Sequence, residues 1–362
     1  MGAPEHAPPT APDGAATRPP RVVALGGGHG LAAALAAWRR ITPELTAVVT
    51  VADDGGSSGR IRREMPVLPP GDLRMALTAL AGDDAGTRQM AALLQHRFGG
   101  SGVLAGHPVG NLMLTGLTEL HGGDVVRALD DLCRLLGASG RVLPMADVPL
   151  DLVARVESSD PDDPARTRTI RGQVAIASTP GRVREITLSP ADPPVHPAVL
   201  DAIAAADVVS LGPGSWYTSV LPHLLVPRLR AALAASSARV VVVLNLEPQP
   251  GETDGFSPEE HLAVLQGHMG GVALHSVIAD EESVVDRCGL LSAVRECGAE
   301  LVLAPVAEDG GVPRHDPVRL AGALREALGT RQGMEMHERV PQPLVPGPVR
   351  EGDEGNAAHG AW

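Results

Sequence analysis

The chain has 362 residues, 43 acidic against 30 basic side chains for a net charge of −13, and is 44% hydrophobic with only 2% aromatics. That balance excludes a disordered acidic tail. It also argues against nucleic acid as a partner, because a phosphate backbone wants a basic stripe and single strands want stacking rings. Every basic residue is Arg, which removes the P-loop lysine, Schiff-base chemistry and lysine general bases, and leaves Arg or a protonated His as the only side-chain cations for a phosphate.

Met1 to Pro20 is rich in Ala and Pro and lacks the apolar core of a signal peptide, so a cytoplasmic address is expected. No run approaches the roughly 18 to 20 consecutive apolar residues of a membrane span. Residues 1–20 and 332–362 read as disordered tails around a body at 21–331. Cys133, Cys288 and Cys297 form no CxxC pair and read as buried, reduced thiols.

The body opens with the apolar run Val22 to Leu25, the glycine turn Gly26-Gly27-Gly28-His29-Gly30 and an Ala-rich helical stretch, Leu31 to Arg40. A second β-branched run, Thr46 to Val51, ends at Asp53-Asp54-Gly55-Gly56-Ser57-Ser58-Gly59-Arg60. Strand, glycine turn, helix and strand open a βαβ unit. Asp72 reads as the cap of a helix over Leu73 to Leu80, and His107-Pro108-Val109-Gly110-Asn111 as a helix start that turns Asn111 towards a cleft.

Between about 141 and 190 the texture changes to short β-prone runs, Leu152 to Val156, Thr169 to Ser178 and Arg182 to Leu188, which reads as an antiparallel insertion. The strand grammar then returns. Asp207 to Leu211 runs into Gly212-Pro213-Gly214-Ser215-Trp216-Tyr217-Thr218, Arg239 to Leu244 runs into Asn245, and Glu300 to Leu303 follows a helix near Ser292 to Cys297. Ser257-Pro258-Glu259-Glu260 reads as a capping box. Continuous rather than alternating apolar runs indicate strands covered on both faces. The expected fold is therefore α/β: a Rossmann-like, doubly wound, mostly parallel sheet with a small antiparallel β insertion.

Four loops thus fall beyond strand carboxyl ends, where such folds bind ligands. Gly26 to Gly30 can turn backbone N–H groups to an anion at a helix start. It is not the dinucleotide fingerprint, whose third glycine is replaced by Leu31. Asp53 nevertheless lies near the position of a ribose acid, which keeps an NAD-dependent oxidoreductase in view. Asp53 and Asp54 suit a metal or ribose hydroxyls, and Ser57, Ser58 and Arg60 suit a phosphate. Gly55 to Gly59 also fits the G-x-S-x-G pattern of serine hydrolases, but the loose glycine loop is a poor elbow. Trp216 and Tyr217 offer rings to a base or a sugar, and Arg314-His315 offers a cation. No zinc-type His/Cys spacing occurs.

In this order, Gly26 to Gly30, Ala52 to Arg60, Pro69-Pro70-Gly71-Asp72-Leu73-Arg74, Gly106 to Leu112, Leu211 to Ser215 and Gln249 to Gly255 resemble the gluconeogenesis factor (YvcK-like) family, in the superfamily of the 2-phospho-L-lactate transferases (CofD-like). The resemblance spans about Arg21 to Thr330. It implies a cytoplasmic, Rossmann-like regulator that binds UDP-N-acetylglucosamine, needs no cofactor beyond an optional magnesium ion, and links gluconeogenic growth to cell shape and cell-wall synthesis. It further implies an unidentified regulatory protein partner, with room for a homodimer. On this reading Gly26 to Gly30 and Arg60 hold the diphosphate and Asp53 and Asp54 take ribose hydroxyls or metal. Asn111 and Ser215 orient the sugar, Tyr217 offers a ring, and Ser57, Ser58, Gly212, Gly214 and Arg314 complete the site. The superfamily alternative is a metal-dependent transferase that acts on a nucleotide-diphosphate donor. His29 stands where the family usually has Thr, and Leu246-Glu247-Pro248 replaces the usual residues before Gln249.

Overall fold

Short β-branched runs separated by glycine turns and helices fold as parallel strands, because each crossover returns the chain to the same edge of the sheet. The computed structural model describes residues 18–157, 167–179, 182–249 and 251–329. In chain order the first half comprises β1 (Val22–Gly26), α1 (Gly28–Trp38), β2 (Leu45–Val49), α2 (Gly56–Glu64), α3 (Pro70–Ala79), α4 (Ala85–Gln95), α5 (Val109–Leu120), α6 (Val125–Leu135) and β3 (Arg141–Pro144). An excursion follows, made of β4 (Asp151–Glu157), β5 (Thr167–Arg171), α7 (Gln173–Ala177) and β6 (Val183–Ser189). The chain returns through α8 (Pro197–Ala205) to β7 (Val208–Leu211), a π-helical turn at Trp216–Val220, α9 (Leu221–Leu225), α10 (Pro227–Ala235) and β8 (Arg239–Val243). It ends with α11 (Pro258–Met269), β9 (Ser276–Asp280), α12 (Arg287–Glu296), β10 (Glu300–Ala304) and α13 (Pro317–Gly329).

The main sheet has the order β10-β9-β8-β7-β1-β2-β3, and all of its neighbours run parallel. The expected doubly wound α/β fold is what forms. From β1 the chain builds outward to β3, then restarts at β7 on the other side of β1 and builds outward to β10. The loops after β1 and β7 consequently face each other where the order reverses, the position at which open α/β sheets bind ligands. Both faces are covered, so β1, β7 and β9 are buried along their whole length. Helix α1 buries Leu31, Ala34, Leu35, Ala37 and Trp38 against this core.

Local chemistry sets the ends of these elements. Thr42 stops the chain after α1, with its hydroxyl donating to the Pro20 carbonyl at 2.8 Å and accepting from the Glu44 N–H at 3.0 Å. Asp207 anchors the start of the body: it accepts from the Arg18 guanidinium at 2.7 Å and from the Arg21 N–H at 2.8 Å. Ser257 and Glu260 form the expected capping box at α11. Among the described residues no helix is long and apolar enough to cross a membrane.

Several expectations change. Arg141–Pro144 pairs with β2 in the main sheet, so the antiparallel excursion begins only at β4, whose partners are β5 and β6. The run Thr169 to Ser178 is not one strand: Gly172, at φ 99°, turns the chain and α7 follows. Asp72 lies inside the first turn of α3 behind Pro69 and Pro70, because proline supplies the helix start by itself. Strand β9 and helices α4 and α6 went unrecognised, although Asp84 and Asp124 cap the two helices by side-chain acceptance. Cys133 is buried, but Cys288 is exposed. Of the expected tails at 1–20 and 332–362, residues 18–20 are described, with Arg18 bonded to Asp207, and the rest lie outside the described residues.

A Cβ at Gly30 would sit 2.2 Å from the Pro213 carbonyl oxygen and 2.6 Å from Gly214 Cα. Gly30→Ala should therefore push the two facing loops apart and cost about 1–3 kcal/mol in urea unfolding. A loss under about 0.5 kcal/mol, the range of an ordinary surface change, would contradict this contact.

Candidate functional site

The first wall of the site is the turn after β1. Gly28 sits at φ 58°, a conformation glycine adopts without strain, and α1 has no side-chain cap. Its first N–H groups therefore point out of the helix end with the positive end of the dipole. The Gly28 N–H itself is held by the Asp72 carboxylate. The second wall is the turn after β7, and Asn245, just past β8, pins it. The Asn245 side chain accepts from the Gly214 N–H at 2.9 Å and donates to the Gly214 carbonyl at 2.8 Å.

Between these walls opens a cavity of about 440 Å³. His29, Gly30, Gly214 and Arg314, all expected in the site, line it together with Asn245 and Glu247. Arg314 is exposed and pairs with Glu308 at 3.3 Å. His315 is buried, and burial pulls its imidazole down to about 4, so it faces the cavity neutral. Leu246, Glu247 and Pro248 form part of the lining, so the departure noted at these positions lies at the site and places an acid in it.

The serine loop does not line this cavity and its side chains join a buried network instead. Ser57 is 6% exposed, and its Oγ lies 2.7 Å from His107 Nδ1 and accepts from Asn111 Nδ2 at 2.9 Å. Burial, and then the charge of Arg60, lower the His107 imidazole; a neutral ring with an accepting Nδ1 leaves the Ser57 proton to donate to it. Asn111 passes the chain on, its Oδ1 accepting from Arg74 Nε at 2.9 Å. Ser58 Oγ accepts from the Gly71 N–H at 3.0 Å, and Arg60 donates to the Ala105 carbonyl at 2.9 Å. Ser57 is thus a buried network member in the first turn of α2, not the exposed nucleophile of a hydrolase elbow.

Asp54 reaches away from the cavity and caps α7, accepting from the Val174 N–H at 3.0 Å. Asp53 accepts from the Gly55 N–H at 2.9 Å. Its charge also acts on Asp72, whose carboxyl is pushed up to about 7 by burial first and by Asp53 second. Asp53 and Asp54 are the pair expected to take ribose hydroxyls or a metal, and of the two Asp54 is engaged at the start of α7. Among the described residues no cluster of three or more metal-ligating side chains forms.

Ser215 caps the π-helical turn by accepting from the Thr218 N–H at 3.2 Å, and its hydroxyl donates to Glu252. Glu252 is buried and also accepts from Thr218 Oγ1 at 3.0 Å and the Tyr217 N–H at 3.3 Å. The ring role expected of Tyr217 meets a correction: the residue is 4% exposed in the core. Trp216 is likewise buried and donates its indole N–H to the His261 carbonyl at 3.0 Å. The residues missed as site builders are Asn245, Glu252, Arg74 and Gln173. Asn245 and Glu252 stood in loops already marked by strand ends, and Arg74 ended a quoted motif.

The raised Asp72 carboxyl makes a signed prediction. Between its ordinary value near 4 and its folded value of about 7, the folded protein holds a proton that the unfolded chain has lost, so stability falls as pH rises through that window. The contribution is complete below pH 4 and gone above about 7. Asp72→Asn should flatten the urea-midpoint profile between pH 5 and 8; an unchanged slope would show that Asp72 titrates normally.

The family model described as 2-phospho-L-lactate transferase CofD matches residues 22–302. A protein of Mycobacterium tuberculosis (strain CDC 1551 / Oshkosh) named "Putative gluconeogenesis factor" is 58% identical over 306 residues, covering 84% of this chain and 89% of its own. A "Gluconeogenesis factor" of Halalkalibacterium halodurans is 38% identical over 265 residues, covering 73% and 79%. A crystal structure of a UPF0052 family member from Bacillus halodurans superposes with a TM-score of 0.75 at 32% identity, covering 85% of this chain and 99% of that one. With a family model over most of the body and relatives of 58% and 38% identity that match most of both chains, the chain belongs to the gluconeogenesis factor (YvcK-like) family of the CofD superfamily.

Proposed function

We propose that the protein is a nucleotide-sugar-binding regulator whose ligand is UDP-N-acetylglucosamine, and that it couples growth on gluconeogenic carbon sources to cell shape and cell-wall synthesis through a protein partner. The observation that carries the reading is the cavity of about 440 Å³ where the turns after β1 and β7 face each other. Its volume lies in the range of small-molecule sites. The start of α1, where Asp72 takes the Gly28 N–H and the N-cap glycine offers no side chain, leaves the following N–H groups to a diphosphate, a local attraction that works against the net charge of −13. Arg314 supplies the one guanidinium in the lining, and Asn245 holds the Gly214 peptide in place before any ligand arrives. The name carried by the relatives supports the physiological half of the reading.

On this reading the serine and asparagine network of α2, α3 and α5 is structural and does not transfer a group. The regulator reading accordingly ranks above the metal-dependent transferase and the NAD-dependent oxidoreductase.

Thermal unfolding with UDP-N-acetylglucosamine, GDP and NAD in parallel, each with and without magnesium, tests it. A ligand at about one hundred times its Kd adds roughly 2.7 kcal/mol, which raises Tm by several degrees. The reading expects that rise with the uridine sugar and not with NAD. A rise confined to GDP with magnesium would favour the transferase, and no rise with the uridine sugar would contradict the reading. Arg314→Ala should weaken the uridine sugar by about tenfold, the loss of one charge-assisted hydrogen bond, measured by calorimetry; unchanged affinity would remove Arg314 from the site.

A further inference from the structure

A second cavity, of about 640 Å³, lies on the other side of His29, between α1, α3 and α4. His29 lines both cavities. The walls of the second are Ala32 and Ala36 from α1, Met75 from α3 and Ala91 from α4, and its polar groups are dominated by Arg74 and Arg97. No acidic residue lines it, in a chain whose net charge is −13.

Arg74 is 4% exposed. Its Nε donates to Asn111 Oδ1 and its Nη1 to Gln95 Oε1, so both partners are neutral amides and Nη2 is left without a partner among the described residues. Arg97 is exposed, and its Nη1 donates to the Gly106 carbonyl at 2.8 Å, again a neutral group. The two cations act on each other: burial and then the Arg97 charge pull the Arg74 guanidinium down to about 10, ahead of the opposing pull of Asp72 and Asp53.

Arg74 is a buried cation whose hydrogen-bond partners are all neutral and which pairs directly with neither Asp72 nor Asp53, although both act on it at a distance; an anion in the cavity would complete its neutralisation. A guanidinium presents its donors as a planar fork that matches carboxylate and phosphate oxygens. The alanine and methionine walls suit the carbon skeleton behind such a group. A nucleotide sugar has its negative charge in the diphosphate, and its N-acetylated hexose is uncharged, so it gives no use for a doubly cationic cavity beyond the glycine turns.

We propose that this cavity is a second ligand site, for a small metabolite carrying a phosphate or carboxylate group, held by Arg74 and Arg97 and separate from the nucleotide site. The two ligands would meet across the His29 ring. The inference stands on the second cavity alone and does not need the identity of the nucleotide.

Calorimetric titration of the full chain in chloride buffer with inorganic phosphate and, separately, with malonate tests it, each with and without saturating UDP. The expected result is one equivalent of at least one oxyanion, bound whether or not UDP is present, and weakened about tenfold or more by Arg97→Ala. Stronger binding of phosphate assigns the site to phosphorylated metabolites, and stronger binding of malonate assigns it to carboxylates. Arg97 is exposed, so its truncation leaves the core intact; Arg74→Gln, checked for folding by its melting curve, should abolish binding. No binding of either probe, binding unaffected by Arg97→Ala, or displacement of the probe by UDP would each overturn the proposal. If UDP fails to bind, the Arg97→Ala comparison still decides this proposal, and the nucleotide reading is decided separately by its own test with UDP-N-acetylglucosamine.

Discussion

The close approach of two backbone turns governs the rest of the molecule. Gly30, in the first turn of α1, lies against the Pro213 carbonyl and Gly214, so the end of β1 and the end of β7 form one continuous surface. That contact exists because the strand order reverses between β1 and β7, which brings together turns far apart in sequence. Side chains on either side then keep the surface rigid. Asn245 takes both polar groups of Gly214, Asp72 takes the Gly28 N–H, and Glu252 satisfies the donors of the π-helical turn that follows. A cradle whose amides are already oriented loses little freedom on binding, which is how preorganised sites gain affinity.

The antiparallel excursion belongs to the same economy. It forms its own sheet, yet α7 reaches back to the ligand-facing edge. Asp54 caps it, and Gln173 donates to Thr218 at 3.3 Å. Arg62 ties α2 to Asp151 of β4 at 3.0 Å. Deeper down, His223 Nε2 lies 3.0 Å from the Val48 carbonyl, and burial holds its ring at about 4; a neutral histidine donating to that carbonyl joins α9 to β2. The Val48 carbonyl is in this way met by a side chain from the other half of the fold.

The architecture was legible in the sequence where its cause is local. Continuous runs such as Val22 to Leu25 and Arg239 to Leu244 need cover on both faces, and that implies a parallel sheet flanked by helices. The glycine turns and the capping box at Ser257 followed from the same local rules. Long-range pairings were hidden. Nothing near Arg141 tells its strand to join β2, since the pairing is decided by a partner almost a hundred residues away in the fold's logic. Pro69 and Pro70 outcompete Asp72 for the helix start, and the carboxylate that was freed went to Gly28, a contact visible only in three dimensions. Tyr217 failed as an exposed ring for a related reason: a residue just after a glycine turn is ordinarily exposed, but the π-helical turn rotates it into the core. Arg74 showed in the sequence only as the last residue of a motif, because the neutral character of its partners depends on where α4 and α5 place Gln95 and Asn111.

The measurement that bears most directly on the account is amide hydrogen exchange of the protein with and without UDP-N-acetylglucosamine. If the ligand lies across the point where the strand order reverses, protection should rise together in the turn at Gly27 to Gly30 and in the turn at Gly212 to Ser215, with the β8 loop around Asn245 following. Protection in only one of the two turns, or confined to segments remote from both, would contradict a ligand held between them.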